Sequence, residues 1–203
     1  VSYADVWAFW LKYPQVAEHV DYITIHILPY WEDEPVALEE AQQHLLANID
    51  RIKQAFPGKP ILVGETGWPT EGRNRGPAAA DMLVAAEFAR RLPSLAAEHD
   101  FDYNLVEAFD QTWKARQEGT VGARWGMFDS SRQQKFGLTG PVSTVPNALM
   151  RAGVSIALGV FFTIALVPLC RTRQAAFAVA FCTQLLGSAL VESVYHALRL
   201  TIS

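Results

Sequence analysis

The sequence predicts an α/β fold: the C-terminal half of a (β/α)8 TIM barrel, followed by two transmembrane helices. Three observations predict it. Short apolar runs alternate with longer amphipathic ones, in the order β, α, β, α, β, and each crossover is long enough for a parallel sheet. Four strands occur in about 140 residues, where a complete eightfold barrel needs about 250. Residues 148–203 then change character, carrying four arginines and one glutamate in otherwise apolar runs.

Residues 1–6 open the chain as an apolar strand, with neither Met nor a signal peptide, so a fragment of a longer protein is expected. Residues 21–28 read as the second strand. Tyr22, Thr24 and His26 fall on one face, and Ile23, Ile25 and Ile27 on the other. Residues 38–56 read as a helix, with Leu45, Ile49, Ile52 and Phe56 at helical spacing and Pro57-Gly58 as its stop. A strand over 60–64, a helix over 78–99 and a strand over 103–109 follow. Half a barrel leaves an exposed edge strand, which again points to a missing N-terminal half. The domains expected are a partial barrel over 1–135, a link over 136–150 and a helical hairpin over 151–203.

The hairpin rests on residues 152–170, which are 19 residues without a charge, with Ser155 and Thr163 as the polar side chains. Such a helix is about 29 Å long, close to the thickness of a bilayer core. A weaker run over 174–198 is interrupted by Gln184 and Glu192; Glu192 and His196 lie one turn apart and can face a partner helix. The basic connector Arg171-Thr172-Arg173 is expected in the cytoplasm and the barrel on the other side, periplasmic in a bacterial inner membrane. A lipid bilayer is thus one expected partner. Residues 1–147 carry 13 basic and 20 acidic side chains, which argues against nucleic acid. The two cysteines, Cys170 and Cys182, lie in the apolar runs, so the soluble part has neither a disulfide framework nor a cysteine zinc site. No metal and no cofactor are expected.

In such folds the chemistry sits at the C-terminal ends of the strands. Here those ends carry carboxylates and large aromatics: His26 to Asp33, Gly64 to Thr70, and Glu107 to Lys114. Aromatic faces stack on sugar rings, and carboxylates cleave glycosidic bonds. Gly64-Glu65-Thr66-Gly67-Trp68-Pro69 resembles the nucleophile motif of family 17 glycoside hydrolases, the endo-β-1,3-glucanases and related glucanosyltransferases. Leu28-Pro29-Tyr30-Trp31, Phe109-Asp110-Gln111 with Lys114, and Trp125-Gly126-Met127-Phe128 resemble three further segments of that family, in order, over about residues 1–130. Leu28 replaces a tyrosine of that pattern, and Asp110-Gln111 exchanges its carboxylate and amide. The look is similar to bacterial membrane-attached members that make β-1,3/1,6-glucans.

The resemblance implies a retaining mechanism with Glu65 as nucleophile and a β-glucan polysaccharide or oligosaccharide as substrate. It implies that the acid/base, which follows Gly-Asn in the family, precedes Val1; no Asn-Glu occurs in this chain. His26, Tyr30, Trp31, Trp68, Glu107, Asp110, Gln111, Trp113, Lys114 and Trp125 are the candidates for substrate contact. His26 either lines the pocket or packs as a core histidine, and each aromatic either lines the cleft or packs. Glu107, inside an apolar run, is expected to pair with Lys114 or Arg124 or to face the barrel mouth. Glu32, Asp33 and Glu34 read as a solvated loop. Hydrolysis, glucanosyl transfer and non-catalytic glucan binding all remain open.

Overall fold

The computed structural model describes residues 1–143 and 147–202, with side chains as far as Tyr195. The chain divides into two units, Val1–Thr144 and Val145–Ser203. In the first, four parallel strands lie in sequence order: β1 Ala4–Val6, β2 Ile23–His26, β3 Ile61–Gly67 and β4 Asp102–Val106. Helices α2 (Leu38–Ala55) and α3 (Met82–His99) make the long crossovers. A sheet in sequence order with helical crossovers is what a barrel wall requires.

The elements form where the apolar period dictates, and their ends show what the period leaves open. β1 starts at Ala4, shorter than the expected strand, and runs without a capping side chain into helix α1 (Trp7–Lys12). α3 starts at Met82 rather than residue 78, because Asp81 accepts from the amides of Leu83 (2.7 Å) and Val84 (3.4 Å). Its carboxylate satisfies amides that have no partner in the first turn. β3 continues three residues past the expected end, so Glu65 lies within the strand. β4 stops at Val106, ahead of Glu107; from there the segment 107–110 exchanges backbone hydrogen bonds with 125–128, including Glu107 N–H to the Trp125 carbonyl (3.1 Å). The core beneath the sheet holds Ile23, Ile25, Ile27, Leu45, Ile49, Ile52, Val63 and Leu92, all essentially inaccessible. It is the face of β2 read as apolar, packed on the apolar stripes of α2 and α3.

The expected link over 136–150 is in its first part folded structure. Phe136 is buried, Val142 packs on the core, and Arg90 donates to the carbonyl of Gly137 (2.9 Å) and of Gly140 (2.8 Å). Residues 144–146 of that link lie outside the described residues, as does the side chain of His196.

The first unit also holds the short helix α4 (Ala115–Gly122). The second unit is a pair of helices, α5 (Ala148–Leu166) and α6 (Arg173–Ile202), joined through a 3-10 turn at Val167–Leu169. Both are long and apolar enough to cross a membrane. They touch through small and polar residues. A Cβ on Gly187 would lie 2.7 Å from the Ser155 carbonyl oxygen. Thr163 and Thr183 share a hydrogen bond of 2.6 Å, and Gln184 donates to the Ser155 carbonyl (3.3 Å). Arg151 pairs with Glu192 and stands 4.0 Å from the Tyr195 ring centre. Phe161, Ile164, Phe177 and Phe181 face outward.

Candidate active site

Glu65 stands near the C-terminal end of β3, opposite His26 of β2 in the strand register. The backbone amide of Ile27 donates to the Glu65 carbonyl (2.9 Å), so residue 65 is held by ladder bonds. Register shifts between Ile25 and His26, and between Val63 and Thr66, bracket this point. Bulges of this kind re-aim a side chain at a strand end. The motif glycines have a steric reason. A methyl on Gly64 would overlap the Thr24 methyl and come within 3.3 Å of the His26 ring; one on Gly67 would overlap the Val106 carbonyl oxygen.

Beside Glu65 lies a cleft of about 390 Å3, lined by Leu28, Trp31, Glu65, Val106, Lys114, Glu118, Gly122 and Trp125. Its size suits a small-molecule or oligosaccharide site. The Glu65 carboxylate is 45% exposed, and its Oε2 lies 3.5 Å from His26 Nδ1, an ion pair when the imidazole is protonated. Trp31 and Trp125 stack with ring centres 6.4 Å apart and planes 12° from parallel. Arg75 lies 5.1 Å from the Trp31 ring centre and donates to the Tyr30 carbonyl (2.8 Å), which fixes the loop after β2. The buried indole N–H of Trp125 has no hydrogen-bond partner among the described residues.

Of the predicted site residues, the structure brings Glu65, Trp31, Lys114 and Trp125 to the cleft, with His26 against Glu65. Glu107 pairs with Lys114 (3.1 Å), the first of its two expected partners, and is not part of the cleft lining. Burial pushes its carboxyl above the ordinary range; Lys114 pulls it back, and Asp110 and Glu118 add to the rise. Trp113 is 61% exposed, with its N–H on the Gln111 side chain (3.0 Å), so neither residue lines the cleft.

Three expected contacts are corrected. Tyr30 and Trp68 are buried, their polar ends taken by the carbonyls of Arg73 and Ala79. The Asp110 carboxylate is only 1% exposed. It accepts from Lys135 (2.7 Å), the Gly126 amide (2.9 Å) and Arg124 (3.4 Å). This is a structural tie, and burial pulls the Lys135 ammonium below its usual range while Asp110 opposes the shift. Glu32 is not a solvated loop residue either: it accepts from the Trp7 indole (3.2 Å) and approaches His44 (3.1 Å). Sequence reasoning missed Glu118, whose one signal was a carboxylate one helical turn beyond Lys114. Among the described residues no group of three or more His, Cys, Asp or Glu side chains is arranged to hold a metal ion.

The comparisons with known proteins bear on the family and the fold. Residues 1–126 match the BtgE/BtgC glycoside hydrolase domain. The chain is similar to a glucan 1,3-beta-glucosidase of Schizosaccharomyces pombe, 29% identical over 144 residues that make up 68% of this chain and 44% of the relative. It is 30% identical over 130 residues to a glucan 1,3-beta-glucosidase of Arthroderma benhamiae, covering 58% of this chain and 42% of that one. Among solved structures it resembles a glycoside hydrolase family 17 beta-1,3-glucanosyltransferase from Rhizomucor miehei. The TM-score is 0.61 at 29% identity, over 68% of this chain and 49% of that one. The chain thus spans less than half the length of these curated relatives. With more than half of its length matched, and with a strand-end glutamate in a tryptophan-walled cleft, the chain belongs to the BtgE/BtgC family of glycoside hydrolase domains.

Proposed function

We propose that this chain is the nucleophile-bearing part of a retaining enzyme on β-1,3-linked glucan, attached to a membrane by the α5–α6 hairpin. The observation that carries the reading is Glu65: a half-exposed carboxylate on a parallel strand end, open to a cleft with stacked indoles on its wall. In the proposed reaction a Glu65 oxygen attacks the anomeric carbon as the glycosidic C–O bond breaks. A second carboxyl group about 5–5.5 Å away protonates the leaving oxygen. Water or an acceptor hydroxyl then attacks the glycosyl-enzyme, gives its proton to that second group and frees Glu65. The second group is assigned to a residue preceding Val1 in the full-length protein. Glu107 is the weaker candidate, since Lys114 already holds both of its oxygens. His26 orients Glu65, and Trp31 supplies the face on which a sugar ring stacks, braced from behind by the buried Trp125.

Transfer to an acceptor sugar is the second reading, supported by the likeness to the R. miehei glucanosyltransferase. Laminari-oligosaccharides incubated with the full-length protein separate the two: shorter products mean hydrolysis, longer ones transfer. Glu65→Gln keeps size and hydrogen bonding but removes the attacking charge. A loss on the order of 10³-fold is expected, about 4 kcal/mol of transition-state stabilisation. Full activity in that variant ends the assignment. The basic Arg171–Arg173 connector favours a cytoplasmic turn, with the barrel on the opposite face, periplasmic in a bacterial inner membrane.

A further inference from the structure

Helix α4 (Ala115–Gly122) has a geometry that ordinary helix formation does not require. Gly119 adopts φ 75°, ψ −175°, so the helix is broken after Glu118. The break folds Glu118 back over Gly122, where a Cβ on residue 122 would overlap the Glu118 side chain at both its Cβ and its carboxylate. Two glycines are therefore needed to seat one glutamate. One supplies the left-handed backbone, and the other leaves the space. The seat is in the cleft, since Glu118 and Gly122 line it together with Glu65, Lys114 and Trp125.

Among the described residues no cation or hydrogen-bond donor holds Glu118, while the nearby Lys114 is engaged by Glu107. A carboxylate is an acceptor with two oxygens and no donor. In the cleft it has two consequences. It accepts from pairs of hydroxyls on a neutral sugar ring, and beside Glu65 it repels a sugar that carries its own carboxylate.

We propose that Glu118 is a substrate-binding, specificity-determining residue that accepts hydrogen bonds from the hydroxyls of a neutral glucosyl unit and excludes acidic sugars. This rests on the glucan reading of the cleft, and it adds the residue that selects the sugar's charge. The test uses the full-length protein with Glu65→Gln to prevent turnover, and calorimetric binding of laminaritriose and of laminaritriose oxidised to 6-carboxylates. The Glu65→Gln protein is expected to bind the neutral sugar and to discriminate against the carboxylated one. Adding Glu118→Gln should weaken neutral binding by about 10- to 100-fold, the worth of a hydrogen bond to a charged group, and should narrow the discrimination. Gly122→Ala, which displaces Glu118 without altering its charge, should weaken neutral binding as Glu118→Ala does. The two together should be no worse than either alone, as expected of a shared cause. Neutral binding undiminished by Glu118→Gln, discrimination unchanged by it, or additive effects of Gly122→Ala and Glu118→Ala overturns the inference alone. No laminaritriose binding by the Glu65→Gln protein or by its parent overturns the glucan reading and this inference with it.

Discussion

The backbone at Glu65 keeps its course because its neighbours are small where the chain must pass. Gly64 is wedged against Thr24 and His26, so Gly64→Ala forces the added methyl into the Thr24 methyl. Overpacking of this kind costs about 1–3 kcal/mol. The variant should melt earlier in a thermal scan and lose activity through displacement of residue 65. Thr24→Ser removes the overlapped methyl yet keeps the hydroxyl that meets Ser2 (2.7 Å), so the double variant should recover part of both losses. The strand-end position of Glu65 was legible in the sequence because local neighbours, the glycines and Trp68-Pro69, mark it. Asp110 was not, because its fate is decided by Lys135, 25 residues further on. Residue type alone does not tell a carboxylate facing sugar from one facing a buried ammonium. Tyr30 and Trp68 were misread for the same reason: an indole or phenol with its polar end satisfied packs as well as it stacks.

Between elements, the segment after β4 is held by its backbone bonds to 125–128 and by ion pairs. Asp110→Ala strands Lys135 in a buried site. Removing one partner of a buried pair costs about 3–5 kcal/mol, so the urea midpoint of this variant should fall sharply, while Glu71→Ala, on the exposed side of Arg124, should change it little. Glu107 gives a pH signature. Its carboxyl is raised in the folded state, chiefly by burial. The folded protein therefore holds that proton more tightly than the unfolded chain, and the stabilisation is complete below the unfolded value and lost as pH rises through the folded one. Glu107→Gln mimics the neutral form. Its stability relative to the parent should climb as pH rises above the ordinary carboxylate range in melting experiments, and a flat difference would contradict the shift. The strands and long helices were legible from period alone. α1 was not, since β1 passes into it with no cap, nor was α4, whose path is set by Gly119.

The whole chain joins an acidic α/β unit to an apolar helical pair with a basic turn. That division was legible in the charge pattern, whereas the ordering of residues 136–142 was not, because it depends on Arg90 reaching their carbonyls. The proposed membrane topology makes its own prediction. A cysteine placed at Thr172 in a variant lacking Cys170 and Cys182 should resist an impermeant maleimide added outside intact cells and react once the membrane is opened. Labelling from outside would reverse the orientation. Gly187→Leu should wedge α5 from α6 at Ser155 and break the hydrogen bond from Gln184, lowering the hairpin's resistance to thermal unfolding in detergent.

The bond from Ile27 to the carbonyl of residue 65 has a consequence for how such an enzyme can diversify. A side chain carried on a laddered strand cannot be shifted by lengthening the chain beside it without breaking register. Novelty must therefore enter where no ladder runs, in the stretches after β2 and β3 and around Gly119. A library of insertions along the chain should divide accordingly. Clones interrupted between residues 61 and 67 are lost, whereas those interrupted near Asp33 or Gly119 survive with altered preference for the glucan.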